Sequence, residues 1–176
     1  MPSISSNAST VAAVSYPTPH GPLSVLAVDD EVVAAGFVAP EELVVRLPHP
    51  GHASVVRYDK IAFIDNAIAA YLAGDFAPFE RLAVRQSGTE FQQLVWQALR
   101  SIPAGETRTY GEIAATIGRP NAVRAVGSAC GRNLIAPFVP CHRALRSDGS
   151  LGGYYYGLDI KRWLLAHEQS NVLTNW

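Results

Sequence analysis

The chain has 176 residues, 48% of them hydrophobic and 16% charged, enough apolar material to bury the core of one ordinary domain or two small ones and too much for disorder as its main state. The net charge of −1 hides an asymmetry, because residues 1–85 carry 5 Lys+Arg against 9 Asp+Glu while residues 86–176 carry 9 against 6, which permits a polyanionic partner for the second half. No apolar run reaches the length of a membrane span, the start lacks a secretory pattern, and two cysteines make no disulfide framework, so a cytoplasmic protein with free thiols is expected.

Taken in chain order, residues 1–12, rich in Ser, Ala and Asn, read as a frayed tail. Leu23–Val28 and Val32–Val38 are β-branched runs parted by Asp29-Asp30-Glu31, the pattern of a β-hairpin. Residues 39–57, with Pro40, Pro48, Pro50 and Gly51, read mostly as loop. Ile61, Ile64, Ile68, Tyr71 and Leu72 share one face of a predicted helix that Gly74 stops. Residues 75–88 read as a connection. The expected organisation is a tail over 1–12, an N-terminal α/β domain over 13–80, a connection over 81–88 and a second domain over 89–176.

The second half is punctuated by helix signals. Thr89 and Gln92 form a capping-box pattern ahead of Phe91, Leu94, Val95, Ala98 and Leu99, so a helix is predicted to run to about Arg100. Thr109 and Glu112 repeat that pattern before Ile113, Ala114 and Ile117, with Gly118 as the stop. Pro120-Asn121 opens a third helix with Val123, Val126 and Cys130 on one stripe. Two short helices about a tight glycine-containing turn are a helix-turn-helix pattern. Phe138-Val139 is strand-like, Ser147-Asp148-Gly149 is a turn, and Asp159 is placed to cap a last helix holding Ile160, Trp163, Leu164 and Glu168. The fold class is mixed α/β (α+β) in two domains, with the C-terminal one mostly helical.

The chemistry centres on Pro140-Cys141-His142-Arg143, which follows the apolar Ile135–Val139. A cysteine attacks as its thiolate, and a neighbouring imidazole can take its proton. Adjacent residues of an extended segment face opposite ways, so Cys141 and His142 must meet through a turn or a bridging water. A carboxylate is the usual partner that orients such a histidine, and spacing leaves Glu168 and Asp148 both open. Cys130, on the apolar stripe, reads as core, and His20, His49 and His52 read as loop residues facing solvent. No Cys/His grouping has the spacing of a metal site.

In this context Pro140-Cys141-His142-Arg143 resembles the active-site signature of the O6-alkylguanine-DNA alkyltransferases, the methylated-DNA–protein-cysteine methyltransferase family. The resemblance spans most of residues 89–168: Ile102–Ala114 is similar to the family's entry to its helix-turn-helix, Ala122-Val123-Arg124-Ala125-Val126-Gly127 to its recognition helix, and Trp163–Glu168 to the segment with its catalytic glutamate. Residues 1–88 match only loosely, chiefly over Tyr16 to Gly36.

The resemblance implies roles. Cys141 would accept the alkyl group from guanine O6 (and thymine O4), His142 would act as base through a water, and Glu168 would hold its ring. Asn133 would be the hinge tying the recognition helix to the active-site segment, and Tyr110 would donate to guanine N3. The carbonyls of Cys141 and Ala144 would accept from the guanine amino group, and a backbone N–H near Tyr155 would face O6. Arg124 would fill the stack left by a flipped nucleotide, with small Ala125 and Ser128 letting the helix approach the minor groove. The expected partner is double-stranded DNA carrying O6-alkylguanine, bound by a protein monomeric off DNA, with no cofactor, no metal and no membrane. The zinc site of some relatives needs N-terminal cysteines that this chain lacks. Where many relatives carry an aromatic, a variable residue and two glycines, this chain has Gly153-Tyr154-Tyr155-Tyr156-Gly157, so a ring at 156 is expected to narrow the pocket. The alternatives are a non-catalytic alkylated-DNA-binding protein, a regulatory protein using the helices as a sequence reader, and a cysteine hydrolase turning over repeatedly. The acceptor cysteine argues against the first two.

Overall fold

The structure is a computed structural model that describes residues 9–172. The N-terminal domain is built on β1 (Ser9–Thr18), β2 (Gly21–Val28) and β3 (Glu31–Gly36), followed by α1 (Pro40–Val44), a 3-10 turn at Pro50–His52 and β4 (Ala53–Arg57). The sheet order is β3-β2-β1-β4, antiparallel between β1, β2 and β3 and parallel between β1 and β4. The expected hairpin is β2–β3. Its turn is Asp29-Asp30, both at positive φ (50° and 61°), a conformation that aspartate tolerates better than most residues.

Two expectations for this half fall. The tail ends sooner than predicted, because Ser9–Ala13 pair with Ala53–Arg57 and β1 continues along β2; residues 1–8 of the expected tail lie outside the described residues. The expected loop over 39–57 holds α1, whose first residue is Pro40, and β4. Proline suits a helix's first position, where its missing N–H costs nothing.

One face of the sheet packs on α2 (Ala62–Leu72), which buries Ile64, Ala67, Ile68 and Tyr71. Leu72, predicted to face inward, is half-exposed. Gly74, at φ 89°, ends the helix region as expected. The short α3 (Ala77–Glu80) follows. The connection is not slack, since Val32 N–H bonds to Ala83 O and Arg85 N–H bonds back to Val32 O, both at 2.9 Å.

The C-terminal domain comprises α4 (Glu90–Arg100), β5 (Arg108–Thr109), α5 (Tyr110–Thr116), α6 (Val123–Gly131), a 3-10 turn at Cys141–Arg143, β6 (Ala144–Leu145) and α7 (Leu158–Val172). Both capping boxes form: Thr89 Oγ1 accepts from Gln92 N–H, and Thr109 Oγ1 accepts from Glu112 N–H. α5 and α6 pack together across a turn in which Gly118 adopts φ 70°. Trp96 on α4 donates from Nε1 to Ala129 O on α6 at 3.0 Å, fixing the pair to the core.

Three local expectations are corrected here. Val123 is 40% exposed, and the buried stripe of α6 is Val126, Ala129 and Cys130. Phe138-Val139 is a turn, closed by Val139 N–H on Ile135 O, and its apolar character comes from burial, with Phe138 stacked on Phe79 at 4.3 Å. Asp159 lies inside the first turn of α7 and pairs with Arg162, both largely exposed.

Candidate active site

Cys141 begins the 3-10 turn that follows the buried segment 135–140 and is itself 8% exposed. Cys141 lines a cavity of about 320 Å³, a size at the lower end of roughly 300–1,000 Å³ for small-molecule sites. Tyr110 from α5, Gly127, Cys130 and Gly131 from α6, and Arg146, Gly152, Gly153, Tyr154 and Tyr155 from the segment after β6 complete the lining. Gly152 sits at φ 69°, and a Cβ there would come within 2.9 Å of the Tyr110 hydroxyl, so only glycine lets the loop close on that ring.

Behind the sulfur is a buried polar network. Glu168 on α7 accepts from His142 Nε2 at 2.8 Å through Oε1, so Glu168, not Asp148, is the carboxylate that orients the histidine. Asp148 instead accepts from Ser150 within the turn. The same Glu168 is clasped by Arg143, whose Nε reaches Oε2 and whose Nη2 reaches Oε1, each at 2.9 Å. Arg143 Nη1 bonds to Ile102 O at 2.5 Å and to Glu80 at 3.0 Å. Tyr71, from α2 of the other domain, donates its hydroxyl to Glu168 Oε1 at 2.9 Å.

The electrostatics follow from this packing. Burial alone would push the Glu168 carboxyl up, but His142 and the two-pronged Arg143 outweigh it and hold the group well below the usual carboxylate range. Burial pushes the His142 imidazole down, and Glu168 only partly offsets this; a proton on the ring would also meet the fixed charge of Arg143. The resting pair is therefore neutral imidazole beside carboxylate. With Nε2 committed to Glu168, the ring's other nitrogen, Nδ1, is buried with no hydrogen bond to protein, free to take a proton. Burial pushes the Cys141 thiol up, against a hydrogen bond from Asn133 and the charge of Lys161 that pull it down.

Asn133 is buried and donates from Nδ2 to Val139 O at 2.7 Å and to Cys141 Sγ at 3.3 Å, which joins the end of α6 to the active-site segment. Tyr110 lines the cavity, and burial first, then the two cysteines, push its hydroxyl up to about 12, so it stays a proton donor at neutral pH. Tyr154 also lines the cavity, and its hydroxyl is buried with no protein partner. Tyr155 stands at the mouth, 62% exposed, with the Arg46 guanidinium 4.0 Å over its ring. Arg124, Ala125 and Ser128 all face outward on α6, outside the cavity.

Two placements depart from expectation. Tyr156 is not a wall of the cavity: it turns to the N-terminal domain, accepts from Arg46 Nη1 at 2.9 Å and packs edge-on against Phe37. A Cβ on Gly36 would overlap its hydroxyl at 1.9 Å, so the ring fills a notch in β3 and cannot narrow the pocket. Ala144 is buried and does not line the cavity; its carbonyl accepts from Lys161 Nζ at 2.7 Å.

Lys161 was not singled out by the sequence pattern. It is fully buried, and its ammonium also bonds to Leu151 O and, at 3.4 Å, to Gly153 O. It thus gathers the cavity-lining loop onto α7. A signal existed: residues 161, 164, 165 and 168 share the inward face of α7, and charge at both ends of a buried stripe marks a polar network. Tyr71 and Arg46 carried no comparable mark. Among the described residues, no group of three or more His, Cys, Asp or Glu could hold a metal ion, and no helix is long and apolar enough to cross a membrane.

Residues 90–170 match the family model described as 6-O-methylguanine DNA methyltransferase, DNA binding domain. The chain is 53% identical over 105 residues to a methylated-DNA–protein-cysteine methyltransferase of Methanosarcina barkeri, covering 60% of this chain and 66% of that protein. It is 51% identical over 109 residues to the protein of the same name from Methanosarcina mazei, covering 62% and 68%. The chain thus spans about two thirds of the length of these curated relatives. The crystal structure of Mycobacterium tuberculosis OGT in complex with DNA superposes with a TM-score of 0.77 at 36% identity, over 92% of this chain and 94% of that one.

Proposed function

The chain belongs to the methylated-DNA–protein-cysteine methyltransferase family, and from that premise we propose that it repairs DNA by drawing the alkyl group from guanine O6 (and thymine O4) onto its own Cys141. The observation that carries this reading is one cysteine that both lines a cavity of about 320 Å³ and accepts on its sulfur from Asn133. Beside it in the chain stands a histidine whose far nitrogen is fixed by a buried carboxylate.

His142 Nδ1 takes the Cys141 proton through one water, and Glu168 stabilises the imidazolium that results. The sulfur attacks the alkyl carbon, an S–C bond forms, the C–O6 bond breaks, and its electron pair passes to the purine. Tyr110 donates to N3 and eases departure of the guanine anion. A backbone N–H near Tyr155 faces O6. The carbonyl of Cys141 accepts from the guanine amino group with its second lone pair, the first being taken by Ala144 N–H. The thioether offers water no carbonyl to attack, so each molecule reacts once. No cofactor enters these steps.

O6 of a stacked guanine is out of reach of a cysteine that is itself buried, so the nucleotide leaves the duplex to react. Arg124 fills the gap from the exposed face of α6, and Ala125 and Ser128 allow close approach to the minor groove. This is a cytoplasmic protein at work on the chromosome. Peptide mass mapping after incubation with O6-methylguanine duplex tests the reading: one methyl on Cys141 per protein is expected, and none on Cys141→Ser, which still binds DNA. More than one turnover, or methyl on Cys130, would overturn it. Arg124→Ala is expected to slow repair in duplex about tenfold to a hundredfold, as unstacking costs a few kcal/mol, with little effect on free O6-benzylguanine.

A further inference from the structure

Gln86 lies in the segment joining the two domains, outside the cavity, and its side chain is tied at both ends. Its Oε1 accepts from Leu134 N–H at 2.9 Å, and its Nε2 donates to Asn133 Oδ1 at 3.2 Å. Its backbone carbonyl accepts from Gln93 Nε2 on α4 at 2.7 Å. Asn133 Oδ1 also accepts from Ile135 N–H at 3.0 Å.

A side-chain amide can turn over with almost no change of shape, so its partners decide which end carries the nitrogen. Backbone N–H groups cannot be reversed. Leu134 N–H demands the oxygen of Gln86, and Ile135 N–H demands the oxygen of Asn133. The two amides are thereby set in series, and the orientation that satisfies both turns the Asn133 NH2 toward the sulfur.

The frame that holds this series is β3. Val32 pairs with the connection through Ala83 and Arg85, and Ala35 N–H bonds to Leu134 O at 2.9 Å. One edge strand therefore grips the segment that carries Gln86 and the segment that carries Asn133.

We propose that Gln86 is a positioning residue for alkyl transfer: it locks the Asn133 amide with its NH2 on Cys141, and through it the N-terminal sheet acts on the reacting sulfur. This deepens the function proposed above and rests on it. A thiolate gains from each donor it faces, and Asn133 is the one neutral side-chain donor the structure places on Sγ among the described residues. The ionisable groups that bear on this sulfur are Lys161 on α7, Tyr110 on α5, Cys130 on α6, and Tyr154 and Tyr156 beyond β6, with His142 beside it in the chain. Of these, Lys161 supplies the positive charge, and Gln86 changes none of them directly.

Gln86→Glu keeps the length and the oxygen for Leu134 N–H but sets a second oxygen against Asn133 Oδ1. Gln86→Met keeps the bulk, removes both polar contacts and adds no charge. The test is the rate at which iodoacetamide alkylates Cys141 in the whole protein across a pH series, read by peptide mass, beside a thermal melt. For Gln86→Glu the rate–pH line is expected to move up by about one pH unit, the worth of a hydrogen bond to a charged group, and Gln86→Met to move the same way by less. Transfer from O6-methylguanine duplex at saturating DNA should slow about tenfold for Gln86→Glu at neutral pH, since one pH unit is tenfold in thiolate. Unmoved lines in both variants, whatever the melt does, would overturn the proposal. So would a shift confined to Gln86→Glu, which would be the field of the new carboxylate. Failure of the unaltered protein to take up methyl would instead sink the proposed function and leave the iodoacetamide result standing on its own.

Discussion

Before residue 89 the core is hydrocarbon. Val25, Leu26, Val32, Ala34 and Ala35 are sealed in the sheet, and Ser24 is the one polar side chain described there as fully buried. After residue 89 the interior also takes in Asn133, His142, Arg143, Lys161 and Glu168. Burying charge costs several kcal/mol per ion, and apolar residues of the same volume often stabilise a core better. The second domain therefore gives up stability to fix the position of a sulfur, a base and a loop, while the first is built to hold together. The two meet where Tyr71 touches Glu168, Arg46 touches Tyr155 and Tyr156, and Gln86 touches Asn133.

The contrast can be broken at its strongest point with Arg143→Met. That change leaves the Glu168 carboxylate buried without its guanidinium, and a loss of about 3–5 kcal/mol in denaturant unfolding is expected. It should also alter chemistry. Burial and Arg143 keep the His142 imidazole below its ordinary value of 6.5, so transfer by the intact protein should hold its rate down through pH 6.5 and fall only in more acid solution. Without Arg143 the imidazole holds its proton more tightly, and the acid limb moves up in pH. An unmoved limb would mean that the guanidinium serves folding alone.

Leu26→Ala probes the other side. It opens a cavity in the sheet core, and about 3 kcal/mol should be lost. Transfer per folded molecule, and its pH profile, should stay as they were. A displaced acid limb in this variant would erase the distinction between the two domains.

Tyr156→Phe gives the smallest effect and tests the seam. It removes the hydroxyl that pairs with Arg46 while keeping the ring in its notch beside Gly36, at a cost of about 1 kcal/mol. The ratio of O6-benzyl to O6-methyl transfer should not change, because this ring does not line the cavity. A raised ratio would return Tyr156 to the pocket wall.

What could be read from the sequence was whatever is decided locally. Thr89 and Thr109 announce their helices because a capping box is completed within four residues. Asp29-Asp30 announces a hairpin for the same reason. β4 was missed because Ala53–Arg57 is a strand only by virtue of β1, some forty residues earlier in the chain. Phe138-Val139 misled because an apolar run reports burial and not backbone shape. Within the site, Cys141, His142, Asn133, Tyr110 and Glu168 were all named from motif likeness, and the structure brings them together around one sulfur or its network. The roles of Tyr71, Arg46 and Gln86 stayed hidden because each reaches a residue far away in the chain, and no periodicity records where a hydroxyl, guanidinium or amide points. Tyr156 was misplaced for the converse reason: its role depends on the notch at Gly36, 120 residues away.

The burial of Cys141 has a consequence for the life of the protein between encounters with DNA. With its thiol pushed up by burial, the resting sulfur is almost wholly protonated at neutral pH, and oxidants and stray electrophiles react with thiolates. Under the proposed single transfer to Cys141, every such accident would waste the molecule. Under the proposed function the burial of Cys141 would work as a safety catch, holding the sulfur as the thiol until His142 takes its proton.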